Sequence, residues 1–121
     1  MSLLEDQFLG LWRAHHPDLP LVREYSDIPA WEVDFQERYA KSKRSKRYRA
    51  DFAHLPSRSL IEIQGGTFSG GRHVRASGYE RDCRKFNLAM MGGWKVFLLT
   101  SQTAKEIAWL EKIAAVLRTS G

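Results

Sequence analysis

The stretch RADFAHLPSRSLIEIQGG, residues 49–66, decides the fold. Tyr48 to Ala53 reads as one strand and Leu60 to Gln64 as a second, joined through the turn-forming LPSRS segment as a β-hairpin. Each strand carries one acid, Asp51 in the first and Glu62 in the second. Both acids can simply face solvent, since alternating polar residues are ordinary in half-buried strands. The alternative is that they meet on one face. Two carboxylates about 4 Å apart repel by roughly 4 kcal/mol at an effective dielectric of about 20, and one of them then takes up a proton. A divalent cation removes that conflict. Hard oxygen ligands on a rigid hairpin, with positions left for water and phosphate, suit Mg²⁺ or Mn²⁺.

Outward from the hairpin the chain reads as alternating elements. Leu3 to His15 is expected as a helix, with Leu4, Phe8, Leu11 and Trp12 on one face and Pro17 beyond its end. Leu21 to Ile28 alternates loosely and is expected as a strand, and residues 29–47 as an insertion or a long loop. Gly65 to Gly78 is rich in Gly and Ser and reads as a loop. Gly78 to Met91 is expected as a helix whose core stripe is Tyr79, Cys83, Phe86 and Met90, with Asp82 and Lys85 together on a flank. Trp94 to Thr100 is apolar enough for a strand buried on both faces. Ser101 would cap a last helix to about Arg118, with Ile107, Leu110, Ile113, Ala114 and Leu117 inward. Helix, three strands, helix, strand, helix implies an α/β class with a small mixed sheet, because a strand–helix–strand crossover needs a parallel pair.

The 121 residues suggest a single domain, large enough for a core without disulfide or metal staples. No apolar run has the length of a membrane span, so no membrane association is expected. The N-terminal MSLLEDQFLGLW carries acids rather than the basic start of a signal peptide. Cys83 is the sole cysteine, which suits a reducing cytoplasm. There are 19 Lys plus Arg against 14 Asp plus Glu, and the run KSKRSKRYR, residues 41–49, supplies six of the cations. Without that run the chain would carry 13 cations against 14 acids. The excess is therefore one local patch. It suits a polyanion, most often nucleic acid, although a solvated loop would share its composition.

Asp51, followed eleven residues on by Glu62-Ile63-Gln64, resembles the signature of the PD-(D/E)XK nuclease superfamily, the restriction-endonuclease-like fold. The αβββαβ order resembles its core. The segment IEIQGGTFSGGRH…GYERDCRKFNLAMMGGWKVFLLT is similar to small phage and bacterial nucleases related to very-short-patch repair endonucleases, VRR-NUC domains and Holliday-junction resolvases. The resemblance spans nearly the whole chain apart from about residues 29–46.

The resemblance implies a divalent-metal-dependent endonuclease acting on DNA. Asp51, Glu62 and the carbonyl of Ile63 would hold Mg²⁺, with Mn²⁺ as substitute. Glu5 matches an additional acidic ligand that related nucleases place in the first helix, or it is a first-turn acid favoured by the helix dipole. Gln64 stands where the family commonly has the lysine that orients the attacking water. Glutamine lacks the charge but can hydrogen-bond a water. Other members recruit a basic residue from the next helix, which makes Lys85 the candidate, against a plain surface pair with Asp82. His73, in the Gly-rich loop, would act as general base or contact the scissile phosphate. Arg72 and Arg75 beside it, and Lys41, Lys43, Arg44, Lys46, Arg47 and Arg49 in the basic run, would contact the nucleic-acid backbone.

Other chemistries find no support in the sequence. His15, His16, His54 and His73 are scattered, and with one cysteine they do not make a zinc spacing. GTFSGG lacks the Gly-Lys-Ser/Thr of a phosphate-binding loop, and no Gly-x-Ser-x-Gly elbow occurs. Two readings stand: the endonuclease, and a nucleic-acid-binding module that has the fold without cutting, motivated by Gln64. A chain this small would cut both strands most simply as a symmetric homodimer.

Overall fold

A computed structural model describes residues 2–39, 41, 46–64 and 76–120. Ser2 opens the first helix, α1 (Leu3–His15): its hydroxyl accepts a hydrogen bond from the Glu5 N–H at 3.0 Å. Phe8, Leu9 and Trp12 form its buried stripe. The Trp12 indole donates to the Leu19 carbonyl at 2.7 Å and ties down the turn that follows.

Four strands form one mixed sheet in the order β1-β2-β3-β4. β1 (Val22–Tyr25) pairs antiparallel with β2 (Ala50–His54), and β2 with β3 (Ser59–Gln64). β3 runs parallel to β4 (Lys95–Thr100), and α3 (Ala76–Met91) makes the crossover such a pair needs. The architecture is α/β, as the element order implies.

The stretch read as an insertion or a long loop is not all loop: it opens with a helix, α2 (Pro29–Tyr39). Proline suits the first helical position because its missing N–H would have had no partner there. The N–H groups of Trp31 and Glu32 bond to the Ile28 carbonyl at 2.9 and 3.4 Å. Trp31, Asp34 and Phe35 are buried one turn apart. The first strand is shorter than the alternation suggests. Glu24 takes a positive φ of 51°, and Arg23↔Phe52 is followed by Tyr25↔Ala50.

The other corrections concern which face is buried. On α3, Tyr79 is 68% exposed and Met90 50%, whereas Lys85 and Ala89 are buried. The inward stripe is thus Arg81, Lys85, Leu88 and Ala89, one side round from the aromatic stripe. β4 is not covered on both faces: Leu99 is its buried residue, Leu98 is exposed, and β3 is its only partner among the described residues. Ser101 does not cap the last helix. The Thr100 N–H donates to Thr103 Oγ1 at 2.8 Å and the Thr103 N–H to Thr100 Oγ1 at 3.1 Å, opening a short 3-10 turn, Thr103–Lys105. α4 (Ile107–Ser120) follows, with Leu110, Ile113, Ala114 and Leu117 buried and Ile107 exposed.

The sheet therefore separates two cores. α1 and α4 pack Phe8, Trp12, Leu110 and Leu117 onto Phe52, Ile61 and Leu99. α2 and α3 pack Trp31, Phe35 and Ala89 onto Ala50, Ala53, Leu60 and Trp94. Each large apolar side chain so buried contributes about 1.5–3 kcal/mol. Among the described residues no helix is long and apolar enough to cross a membrane.

Candidate functional site

The β2–β3 ladder runs from His54↔Ser59 to Phe52↔Ile61 and ends there. Asp51 and Glu62 are the next residues along the two strands. From this point side chains make the connection. The Asp51 N–H donates to Glu62 Oε1 at 2.8 Å, and the Ile63 N–H donates to Asp51 Oδ2 at 2.8 Å. Each carboxylate satisfies a backbone donor of the opposite strand, which a regular ladder would have done with a carbonyl. The two acids are thereby fixed side by side on the hairpin.

Lys85 reaches them from α3. Its ammonium donates to Glu62 Oε2 and to the Arg49 carbonyl, each at 2.8 Å, and the residue is only 6% exposed. The Trp31 indole donates to the Lys85 carbonyl at 2.8 Å, so α2 pins the turn of α3 that delivers the ammonium. Burial holds the Glu62 carboxyl above the usual carboxylate range. The Lys85 ammonium draws it back down, and the Asp51 carboxylate pushes it up again.

Asp51, Glu62 and Lys85 line a cleft of about 500 Å³ together with Tyr48, and the remaining lining residues, Lys46, Arg47, Arg49 and Arg81, are all basic. Some of these cations are already engaged. Arg47 pairs with Glu32, and Arg49 lies 3.5 Å from Glu24. Behind the cleft, Asp34 of α2 is buried and accepts from the Tyr48 hydroxyl at 2.7 Å and from Arg84 Nε at 3.1 Å. The Arg84 guanidinium holds the Asp34 carboxyl below its ordinary range, while burial and Asp34 push the Tyr48 hydroxyl up to about 12.

The structure therefore brings Asp51, Glu62 and Lys85 together, and Lys85 pairs with Glu62 rather than with Asp82. Ile63 meets the cluster through its N–H. In an extended strand the N–H and C=O of one residue leave on the same side, so its carbonyl opens toward β2 as well. Gln64 ends β3 opposite Thr100 and shares a face with Glu62 by strand alternation, but does not line the cleft. Glu5 is not brought to the pair. α1 covers the other side of the sheet, and Glu5 lies 3.8 Å from Arg23. Lys41 is exposed and outside the cleft lining, whereas Lys46, Arg47 and Arg49 belong to it. Lys43, Arg44, Arg72, His73 and Arg75 lie outside the described residues.

Among the described residues no three His, Cys, Asp or Glu side chains gather closely enough to form a metal cage. Mg²⁺ does not require one. It is commonly held by one or two carboxylates, with waters and substrate phosphates completing the shell. Asp51 and Glu62 fit that role: both are hard oxygen donors lining an open cleft, and no described residue donates to Asp51 Oδ1.

Sequence reasoning did not single out Arg81, Tyr48 or the Arg49 carbonyl. Arg81 and Lys85 stand four residues apart on one helix face, with Leu88 and Ala89 continuing it. That spacing was the available signal. Compared with protein-family models, with curated proteins and with solved structures, the chain has no match.

Proposed function

We propose that the protein is a divalent-metal-dependent DNA endonuclease with a restriction-endonuclease-like core, hydrolysing phosphodiester bonds at the Asp51–Glu62–Lys85 cluster. One observation carries this reading: a carboxylate pair salt-bridged to a buried lysine lines a cleft whose other charged residues are all basic. The element order supports it too, with α2 as an added helix between β1 and β2 of an αβββαβ core.

Asp51 and Glu62 would hold the cation, with the Ile63 carbonyl beside them. When bound, Mg²⁺ or Mn²⁺ supplies Lewis acidity toward the phosphodiester. Lys85 has three N–H donors. Glu62 and the Arg49 carbonyl take two, which leaves one for a phosphate oxygen or the attacking water. Charge that develops on the phosphate is thus met by an ammonium already in place, with little reorganisation. Gln64 lies on the same face of β3 but outside the cleft lining, and it has no charge to offer the phosphate. The basic residues lining the cleft hold the DNA backbone without reading its sequence.

The test is plasmid nicking with Mg²⁺ or Mn²⁺, with and without EDTA, for wild type and Glu62→Ala. Nicked product is expected only from wild type with metal. Equal product from the two proteins would refute the assignment. The second reading is a binding module that does not cut, favoured by Gln64 and by the convergence of two rather than three acids among the described residues. DNA binding that survives EDTA, with no cleavage under any metal, selects it.

A further inference from the structure

We propose that Arg81 forms a phosphate subsite one helical turn from Lys85, held in an aromatic cradle, where it grips a DNA backbone phosphate next to the one being cleaved. This rests on the nuclease reading for what it names as the neighbouring event, but its evidence is separate.

Arg81 and Lys85 stand four residues apart on α3 and line the same cleft. The Arg81 guanidinium lies 5.0 Å from the ring centroid of Tyr39, 5.0 Å from that of Tyr48 and 5.8 Å from that of Phe35. The rings brace one another. Phe35 and Tyr39 each meet Tyr48 edge-on, at interplanar angles of 85° and 79°. Two of the three come from α2, the helix added to the core.

Three nearby acids are committed elsewhere, and Asp51, which lines the same cleft, forms no ion pair with Arg81 among the described residues. Asp34 binds Arg84 and the Tyr48 hydroxyl, Glu32 binds Arg47, and Glu62 binds Lys85. Among the described residues Arg81 has no carboxylate partner, and the rings compensate its charge instead. Aromatic faces attract a guanidinium without occupying its N–H donors. The planar fork is therefore positioned and still able to bind an anion with two parallel hydrogen bonds. Covering the rings would need only an apolar stem, and a second cation one turn from Lys85 repels it. A phosphate between the two removes that repulsion.

The experiment measures binding of a labelled DNA duplex in EDTA as salt is raised, for wild type, Arg81→Met and Arg81→Lys. Methionine keeps an apolar stem over the rings, and a thermal melt checks folding. Arg81→Met is expected to weaken binding at low salt and to reduce the slope of log K against log salt by about 0.9, the share of one phosphate contact. Arg81→Lys is expected to keep the slope but bind more weakly, since a point charge replaces the fork. Wild-type slope and affinity in a folded Arg81→Met overturn the proposal, as does a wild type that binds no DNA. If Arg81→Met loses its cooperative melt, Arg81→Lys decides: weaker binding at an unchanged slope supports the subsite, and wild-type affinity overturns it. A wild type that binds through Arg81 yet never nicks plasmid keeps the subsite and removes the nuclease reading, so the two failures differ.

Discussion

Lys85 on α3 and Glu62 on β3 are 23 residues apart in the chain and meet in a 2.8 Å ion pair, with the lysine buried. A buried ammonium is costly unless its donors are satisfied, and here Glu62 and the Arg49 carbonyl satisfy two. Lys85→Met should lower single-turnover nicking by about 10²–10³-fold, the usual loss when a positioned donor to developing charge is removed. It should also lower stability by about 1–3 kcal/mol, since the half-buried Glu62 is left without its cation. Urea unfolding separates the two effects. Nicking at the wild-type rate by the folded variant would exclude Lys85 from the chemistry.

Gln64 follows Glu62 on the same face of β3 but is uncharged, and the cation beside Glu62 comes from α3. Gln64→Ala should therefore reduce nicking less than tenfold, a smaller loss than that from Lys85→Met. Moving the charge gives a stricter check. Gln64 and Glu62 share a face of β3, so Gln64→Lys combined with Lys85→Met should recover part of the lost rate. No recovery in a folded double variant would mean that the position on α3 matters, and not only the charge.

The hairpin and its acids were legible because strand alternation and turn chemistry are local signals. Those signals placed Asp51 and Glu62 on paired strands, but left open whether the two acids meet or face solvent. The faces of α3 were not legible. Tyr79, Cys83, Phe86 and Met90 form the more apolar stripe, so hydrophobic periodicity selected it, yet the sheet takes the stripe bearing Arg81 and Lys85. That choice depends on partners distant in sequence: Glu62, the Arg49 carbonyl and the α2 rings. α2 was ambiguous, because WEVDFQERYA carries alternation as well as helical spacing. Asp34 interrupts its apolar stripe, and only the Arg84 and Tyr48 bonds show why an acid is tolerated there. β4 looked doubly buried because its composition is apolar, but Leu98 lies exposed on an edge strand.

Asp34 makes stability depend on acid. Arg84, then the Tyr48 hydroxyl, hold its folded-state carboxyl below the ordinary value. A depressed carboxyl contributes stability that is present above its unfolded pKa and is lost as pH falls through the folded one. Asp34→Asn should therefore be less stable than wild type at neutral pH, by about 1–3 kcal/mol for the lost charge-assisted bonds. The gap should begin to narrow as pH drops below about 4, where the unfolded-state aspartate protonates, and close as pH falls through the lower folded-state value. Urea midpoints across pH 3 to 7, approximately, measure it. A constant gap across that range would show that the ion pair is not its source.

Trp31 tests whether α2 positions the site or only covers the sheet. Its indole donates to the Lys85 carbonyl at 2.8 Å while its ring fills the core beneath α3. Trp31→Phe keeps an aromatic ring and removes the donor, at a cost of about 1–2 kcal/mol. A control must destabilise without touching that turn. Phe52→Leu serves, since Phe52 packs on Phe8 at 5.0 Å between centroids, within the core that α1 and α4 form. If α2 positions Lys85, nicking by Trp31→Phe should fall several-fold at temperatures where both variants are fully folded, with DNA affinity unchanged, while Phe52→Leu nicks like wild type. Equal nicking by the two variants would reduce α2 to a structural cover.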